Sequence, residues 1–92
     1  MIVTFADEDT RRLSEGKRVK RLLAVERVAA RKLRQLQIAG SLNDLRIPPG
    51  NHLEALVGER RGQHSIRIND RYRICFTWTA AGPADVEVVD YH

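Results

Sequence analysis

Asp90-Tyr91-His92 places three adjacent ionisable side chains at the end of a strand-like run, and all three are of kinds that move or steer protons. Histidine changes charge near neutral pH, while tyrosine and aspartate can orient it, stack on a ligand or take part in proton transfer. A second set of candidates is cationic. Arg67 and Arg73 flank the turn Asn69-Asp70-Arg71, and alternation along the two runs puts both on one sheet face. Arginine makes paired hydrogen bonds to phosphate oxygens. Together these residues could hold a phosphate and break a bond beside it. Plainer readings compete: Tyr91 packs a sheet edge with His92 solvated, and the two arginines pair with Asp70 or Glu87 as surface charges of little individual worth.

The rest of the chain must supply a scaffold for that face. Residues 2–5 are a short β-branched run, expected as a strand. The acidic stretch Ala6-Asp7-Glu8-Asp9-Thr10 suits the positive end of a helix dipole, so a first helix is expected over 7–15, stopping at Gly16. Over 18–39, Leu22, Val25, Ala29, Leu33 and Leu36 recur at steps of three and four and form one apolar stripe. Lys20, Arg27, Arg31 and Arg34 form a different, basic stripe. Gly40 ends this helix, and residues 41–50 are rich in turn formers, with Leu42, Leu45 and Ile47 as anchors. The period then changes to two. Strands are expected over 53–57, 63–68, 72–78 and 85–90, joined by links short enough for antiparallel hairpins. The reading is α+β: one domain over 1–92, with a small antiparallel β-sheet packed against two N-terminal helices.

Composition narrows the functional classes. The chain has 92 residues, sixteen Lys and Arg against twelve Asp and Glu, and a net charge of +4. Ten of the sixteen cations lie between Arg11 and Arg34 and the other six are all arginines, a distribution that tilts toward a polyanion such as nucleic acid. A solvated basic helix explains the same charge. The lone Cys75 excludes an internal disulfide and lies inside a strand-like run, as expected of a buried residue and not a nucleophile. Met1 to Phe5 lacks the basic start and long apolar stretch of a signal peptide, and no apolar run is long enough to span a bilayer. A cytoplasmic location with no membrane partner is expected.

Other motifs are weaker. His52, His64 and His92 are scattered and no Cys-x-x-Cys pair exists, so no metal site and no cofactor are expected. Gly58-Glu59-Arg60-Arg61-Gly62 lacks the Lys-Ser/Thr of a phosphate-binding loop and fits a hairpin turn. Arg60 and Arg61 either touch a polyanion or keep that turn soluble. His64 shares the parity of Ile66 and Ile68, which favours a core-edge histidine. His52, just before a strand, is a weak candidate for the site rim.

The run from Leu53-Glu54-Ala55-Leu56-Val57 through Ser65-Ile66-Arg67-Ile68-Asn69-Asp70-Arg71-Tyr72-Arg73-Ile74-Cys75-Phe76, followed by Asp90-Tyr91-His92, resembles the HigB toxins. These belong to the RelE/ParE superfamily of toxin-antitoxin systems, which includes the plasmid maintenance killer proteins. The resemblance implies a RelE/ParE-like fold and ribosome-dependent cleavage of messenger RNA, by metal-independent attack of the RNA 2′-hydroxyl. It implies growth inhibition, with the ribosome and mRNA as partners, and a helix-turn-helix, HigA-like antitoxin that blocks the toxin and represses the operon. Carried over by position, Asp90, Tyr91, His92 and Arg73 are the catalytic residues. His92 would be the leading proton-transfer group, Tyr91 a second one or a stacking platform, and Asp90 the residue that orients both.

RNA contacts are then expected from Arg67, Arg60 and Arg61, with ribosomal docking through Lys20, Arg27, Arg31 and Arg34. One position departs from the family pattern. Where some members carry an active-site histidine this chain has Glu54, with His52 two residues earlier, and both are assigned to the site rim. The alternative is a superfamily relative that acts by protein binding alone, as a topoisomerase poison or an inactive antitoxin-binding module.

Overall fold

The computed structural model describes residues 1–91, in which two helices and a four-stranded antiparallel sheet share one core. Helix α1 (Glu8–Ser14) starts where Asp7 caps it, the carboxylate accepting from the Thr10 backbone N–H at 2.8 Å. Gly16 follows at φ +82°, as a helix stop requires. The second expected helix is divided. Lys20–Val25 forms a 3₁₀ segment, Val25 leaves helical geometry at φ −120° and ψ 6°, and α2 runs over Glu26–Ile38. The apolar spacing explains the division. Val19, Leu22 and Val25 are three residues apart, a step that eclipses in a 3₁₀ helix, whereas Ala29, Leu33 and Leu36 follow the α period; all six are buried.

The strands are β1 (Glu54–Ala55), β2 (His64–Arg67), β3 (Tyr72–Thr79) and β4 (Gly82–Asp90), in the spatial order β1-β2-β3-β4. Strand β1 is only two residues of the five expected, because the chain turns into a 3₁₀ segment at Gly58–Arg60. Thr79 pairs with Gly82, so the last hairpin turns in two residues and β4 starts earlier than the expected 85. Alternation puts Ile66 and Ile68, Ile74 and Phe76, and Val86 and Val88 against the helices, where they join Leu13, Leu22, Leu33 and Leu36 in the core.

Residues 2–5 do not form a strand of their own. Val3 N donates to Pro83 O at 2.8 Å and Ala6 N to Val86 O at 2.9 Å, and Phe5 faces Val86 in a single parallel bridge. A longer ladder is interrupted on the β4 side, where Pro83 has no N–H and Asp85 takes φ +52°. Two anchors behave differently in the turn region 41–50: Leu45 is buried, but Ile47 is 75% exposed and anchors nothing. Among the described residues no helix is long and apolar enough to cross a membrane.

Helix α1 is fastened to the sheet by a buried hydroxyl. Thr10 Oγ1 accepts from the Val88 backbone N–H at 2.9 Å. Thr10→Val keeps the shape but strands that donor in the core, and is expected to cost about 1–3 kcal/mol in a urea titration. A midpoint equal to wild type would show that the N–H finds another acceptor.

Candidate functional site

Register sets the site. Arg67 on β2 lies directly opposite Arg73 on β3, which lies opposite Val89 on β4. The neighbouring row on that face is Glu54, Ser65, Cys75 and Glu87. The face is less open than alternation alone suggests, since Ser65 and Cys75 are fully buried beneath longer side chains.

Arg73 is the centre of this arrangement, with its side chain only 13% exposed. Nε donates to Ser65 Oγ at 2.7 Å, Nη2 donates to the His52 carbonyl at 2.7 Å, and Nη2 lies 3.3 Å from Glu54 Oε1. The Tyr91 ring centroid is 6.0 Å from the guanidinium carbon, within cation–π range. Three contacts on a planar group fix both its place and its orientation. Arg67 is instead paired with the exposed Asp70. The two carboxylates offset the repulsion of like charges directly opposite across strands.

Glu54 and Tyr91 both line a cavity of about 400 Å³, with Leu56, Val57, Glu59 and Arg60. Tyr91 is half-exposed, and its backbone N–H donates to Arg71 O at 2.7 Å. Partial burial pushes the Tyr91 phenol upward, and the neighbouring Cys75 thiol adds to the effect. Burial likewise pushes the Cys75 thiol up, so both groups hold their protons at neutral pH. Cys75 is therefore a proton-bearing floor for Tyr91, not a nucleophile.

The other candidates divide. Arg60 donates to Gln63 Oε1 at 2.9 Å and lies 3.3 Å from Glu87, at the edge of the same cavity. Glu87 is thus taken by Arg60, and not by Arg67 or Arg73 as the surface-charge reading has it. Arg61 is exposed and, among the described residues, makes no ion pair. His52 is exposed with φ +46°, and what it gives Arg73 is its carbonyl. His64 faces Phe76 at the core edge, ring centroids 6.4 Å apart. Lys20, Arg27, Arg31 and Arg34 are exposed, and Arg31 and Arg34 border a different cavity, with Ile2, Phe5 and Leu13. The structure therefore does not gather the basic helical stripe around Arg73. His92 lies outside the described residues.

Three residues without an assigned role in the sequence reading now matter. Arg71 donates to Asp90 Oδ2 from Nε at 3.0 Å and from Nη2 at 2.8 Å, and its guanidinium lies 5.4 Å from the Tyr72 ring centroid. That Asp90 hydrogen bond raises the Arg71 pKa further. Once Tyr72 is paired with Asp90 in register, Arg71 is the neighbouring cation, so a correct strand alignment would have found it. Ser65 shares the parity of Arg67 and is the cross-strand diagonal neighbour of Arg73.

Lys32 is the third. It lies seven residues after Val25 on the apolar stripe, and it is buried, its amine bonded to the Asn51 side-chain carbonyl. Burial lowers the Lys32 pKa, with the charges of Arg31 and Arg67 lowering it further. The native state therefore releases this proton at a lower pH than the unfolded chain does. As pH rises from the lowered native value toward the ordinary 10.5, the unfolded chain binds more protons and stability rises. Chemical denaturation across that window should show the rise, and Lys32→Met should flatten it; an unchanged slope in the variant would assign the linkage to another group.

The chain is similar along most of its length to known toxins. Residues 3–92 match the family described as the RelE-like toxin of type II toxin-antitoxin system HigB. Toxin HigB-1 of Vibrio cholerae serotype O1 is 40% identical over 80 residues, covering 85% of this chain and 84% of that protein. An uncharacterized protein of Haemophilus influenzae is 42% identical over 52 residues, 56% of this chain and 52% of its own length. With the family matched along nearly the whole sequence and the expected two-helix, four-strand architecture in place, the chain belongs to the HigB-like, RelE-type toxins of type II toxin-antitoxin systems.

Proposed function

We propose that this toxin is a ribosome-dependent endoribonuclease that cuts messenger RNA. The observation that carries the reading is Arg73, a clamped guanidinium with a carboxylate 3.3 Å away and a phenol ring 6.0 Å away. RNA brings its own nucleophile. Cleavage requires a base to take the 2′-hydroxyl proton, a cation for the charge gathering on the phosphate, and an acid for the departing 5′ oxygen.

Attack and departure are roughly in line through phosphorus, so base and acid belong on different sides of the bound phosphate. Glu54 and Tyr91 both border the cavity beside Arg73. A phosphate oxygen that takes over Arg73 Nη2 releases the Glu54 carboxylate to act as base. The 2′ oxygen then bonds to phosphorus and the bond to the 5′ oxygen breaks, leaving a 2′,3′-cyclic phosphate. The 5′ oxygen takes a proton from Tyr91, whose raised pKa keeps the phenol protonated, or from the adjacent His92. Arg67 assists with charge, and Asp90 with Arg71 fixes the backbone that carries Tyr91. All three roles are filled by side chains, so the proposed reaction needs no metal and no cofactor.

Family membership implies an antitoxin, and we assign it the helix-turn-helix, HigA-like class. Docking on ribosomal RNA falls to Lys20, Arg27, Arg31 and Arg34, with Arg60 and Arg61 nearer the message, and it makes binding fall steeply with salt. The site of action is then the cytoplasm. Induction in bacteria followed by primer extension on an abundant message tests the reading. Codon-linked cuts are expected. DNA-damage signalling without cuts would instead mark a topoisomerase poison, and neither response would mark a module that only binds its antitoxin.

A further inference from the structure

Lys32 is a costly residue to place where it is. An amine removed from water without a counter-charge is unfavourable, and the α2 stripe it shares with Ala29, Leu33 and Leu36 would accept an aliphatic side chain. Among the described residues it has no carboxylate within ion-pair distance, and Arg31 and Arg67 are the charges that act on it. Its hydrogen-bond partner is the side-chain oxygen of Asn51.

Asn51 is fully buried and clamped at its other end too. Nδ2 donates to Gln35 Oε1 and to the Leu45 carbonyl, each at 3.0 Å, and the Asn51 backbone N–H donates to Pro48 O at 2.9 Å. These contacts tie the 3₁₀ segment Pro49–Asn51 to α2. The next residue is His52, which leaves that segment in the left-handed region, and its carbonyl accepts from Arg73 Nη2 at 2.7 Å. A continuous line of contacts thus runs from the helical layer, Lys32 to Asn51 to His52 to Arg73, and ends on the cation of the site.

We infer that Lys32 is a positioning residue for Arg73, acting through the Asn51 side chain and the carbonyl of His52. This rests on the RNase reading for its effect on cleavage, but not for its effect on Arg73 itself. Without the amine, the Asn51 oxygen is a buried acceptor with no donor, its carboxamide keeps only the end bonded to Gln35 and Leu45, and the His52 carbonyl is held less firmly against the guanidinium. A transition-state contact is sensitive to such displacement, because an error of about 1 Å can cost on the order of 100-fold in rate.

The test uses Lys32→Met and Lys32→Arg in the full chain, with two readouts. In single-turnover cleavage on programmed ribosomes, Lys32→Met should lower kcat about 10- to 100-fold with KM changed less, and Lys32→Arg, which keeps a cationic donor, should recover most of the loss. In NMR of the free toxin, the Arg73 Nε–H signal, protected by Ser65 in wild type, should move and exchange faster in Lys32→Met. An unmoved Arg73 signal in a folded Lys32→Met protein overturns the positioning role, whatever happens to cleavage. A loss confined to KM overturns it as well, in favour of a direct phosphate contact. If the wild-type toxin cuts no message, the RNase reading fails, and the NMR readout still decides the role of Lys32.

Discussion

Arg73→Ala is expected to lower message cleavage about 100- to 1,000-fold, the loss typical of removing one preorganised charge-stabilising donor, while the far-UV spectrum stays native. The size follows from how the guanidinium is held. Ser65 and the His52 carbonyl set its plane before any substrate arrives and keep it after the phosphate has displaced Glu54, so the guanidinium need not reorient when charge develops on the phosphate. Arg73→Lys should recover little, because a single ammonium cannot keep the Ser65 and His52 contacts and still face a phosphate. Single-turnover kinetics on programmed ribosomes measures this. A variant retaining half the wild-type rate would remove Arg73 from the mechanism.

Glu54→Gln should have the second large effect, a fall of about 100- to 10,000-fold, as for loss of a general base. Glutamine preserves size and can still accept from Arg73 through its amide oxygen, so binding should change far less than rate. Glu54→His should retain part of the activity and shift the acid limb of the pH profile upward, toward the ordinary imidazole range near 6.5. The opposite result is equally informative. If Glu54→Gln cleaves faster than wild type, the carboxylate competes with the phosphate for Arg73, and the base must be sought elsewhere.

The candidate site is partly legible in the sequence. Alternation along β2 and β3 was enough to put Arg67 and Arg73 on one face, because the period of a strand is two whatever surrounds it. The chemistry of Asp90, Tyr91 and His92 marks them without any fold, and the family resemblance implies messenger RNA as the substrate. Glu54 stood out as a departure from the family histidine. What it touches was not legible, since the Glu54 contact to Arg73 spans nineteen residues of sequence and passes through a two-residue strand whose register local pattern does not set. Lys32 was hidden for a different reason. A lysine on an apolar stripe is normally one that reaches out to water along its stem, and only the buried Asn51 behind it turns it inward.

The sequence by itself determined the α+β class, the first helix, the approximate places of the last three strands, the apolar faces and the cationic pair, all properties of local spacing and side-chain chemistry, but not the break at Val25, the short β1 or the single bridge made by residues 2–5. It also carried the family, through residues that recur in order along the chain. Only the tertiary structure decided which neighbours those residues acquire. Arg67 went to Asp70, Glu87 to Arg60, Asp90 to Arg71, and Arg73 to Glu54, His52 and Ser65. Such pairings depend on distances across strands and layers. They are set by packing of the whole core, which a reading of local pattern does not contain.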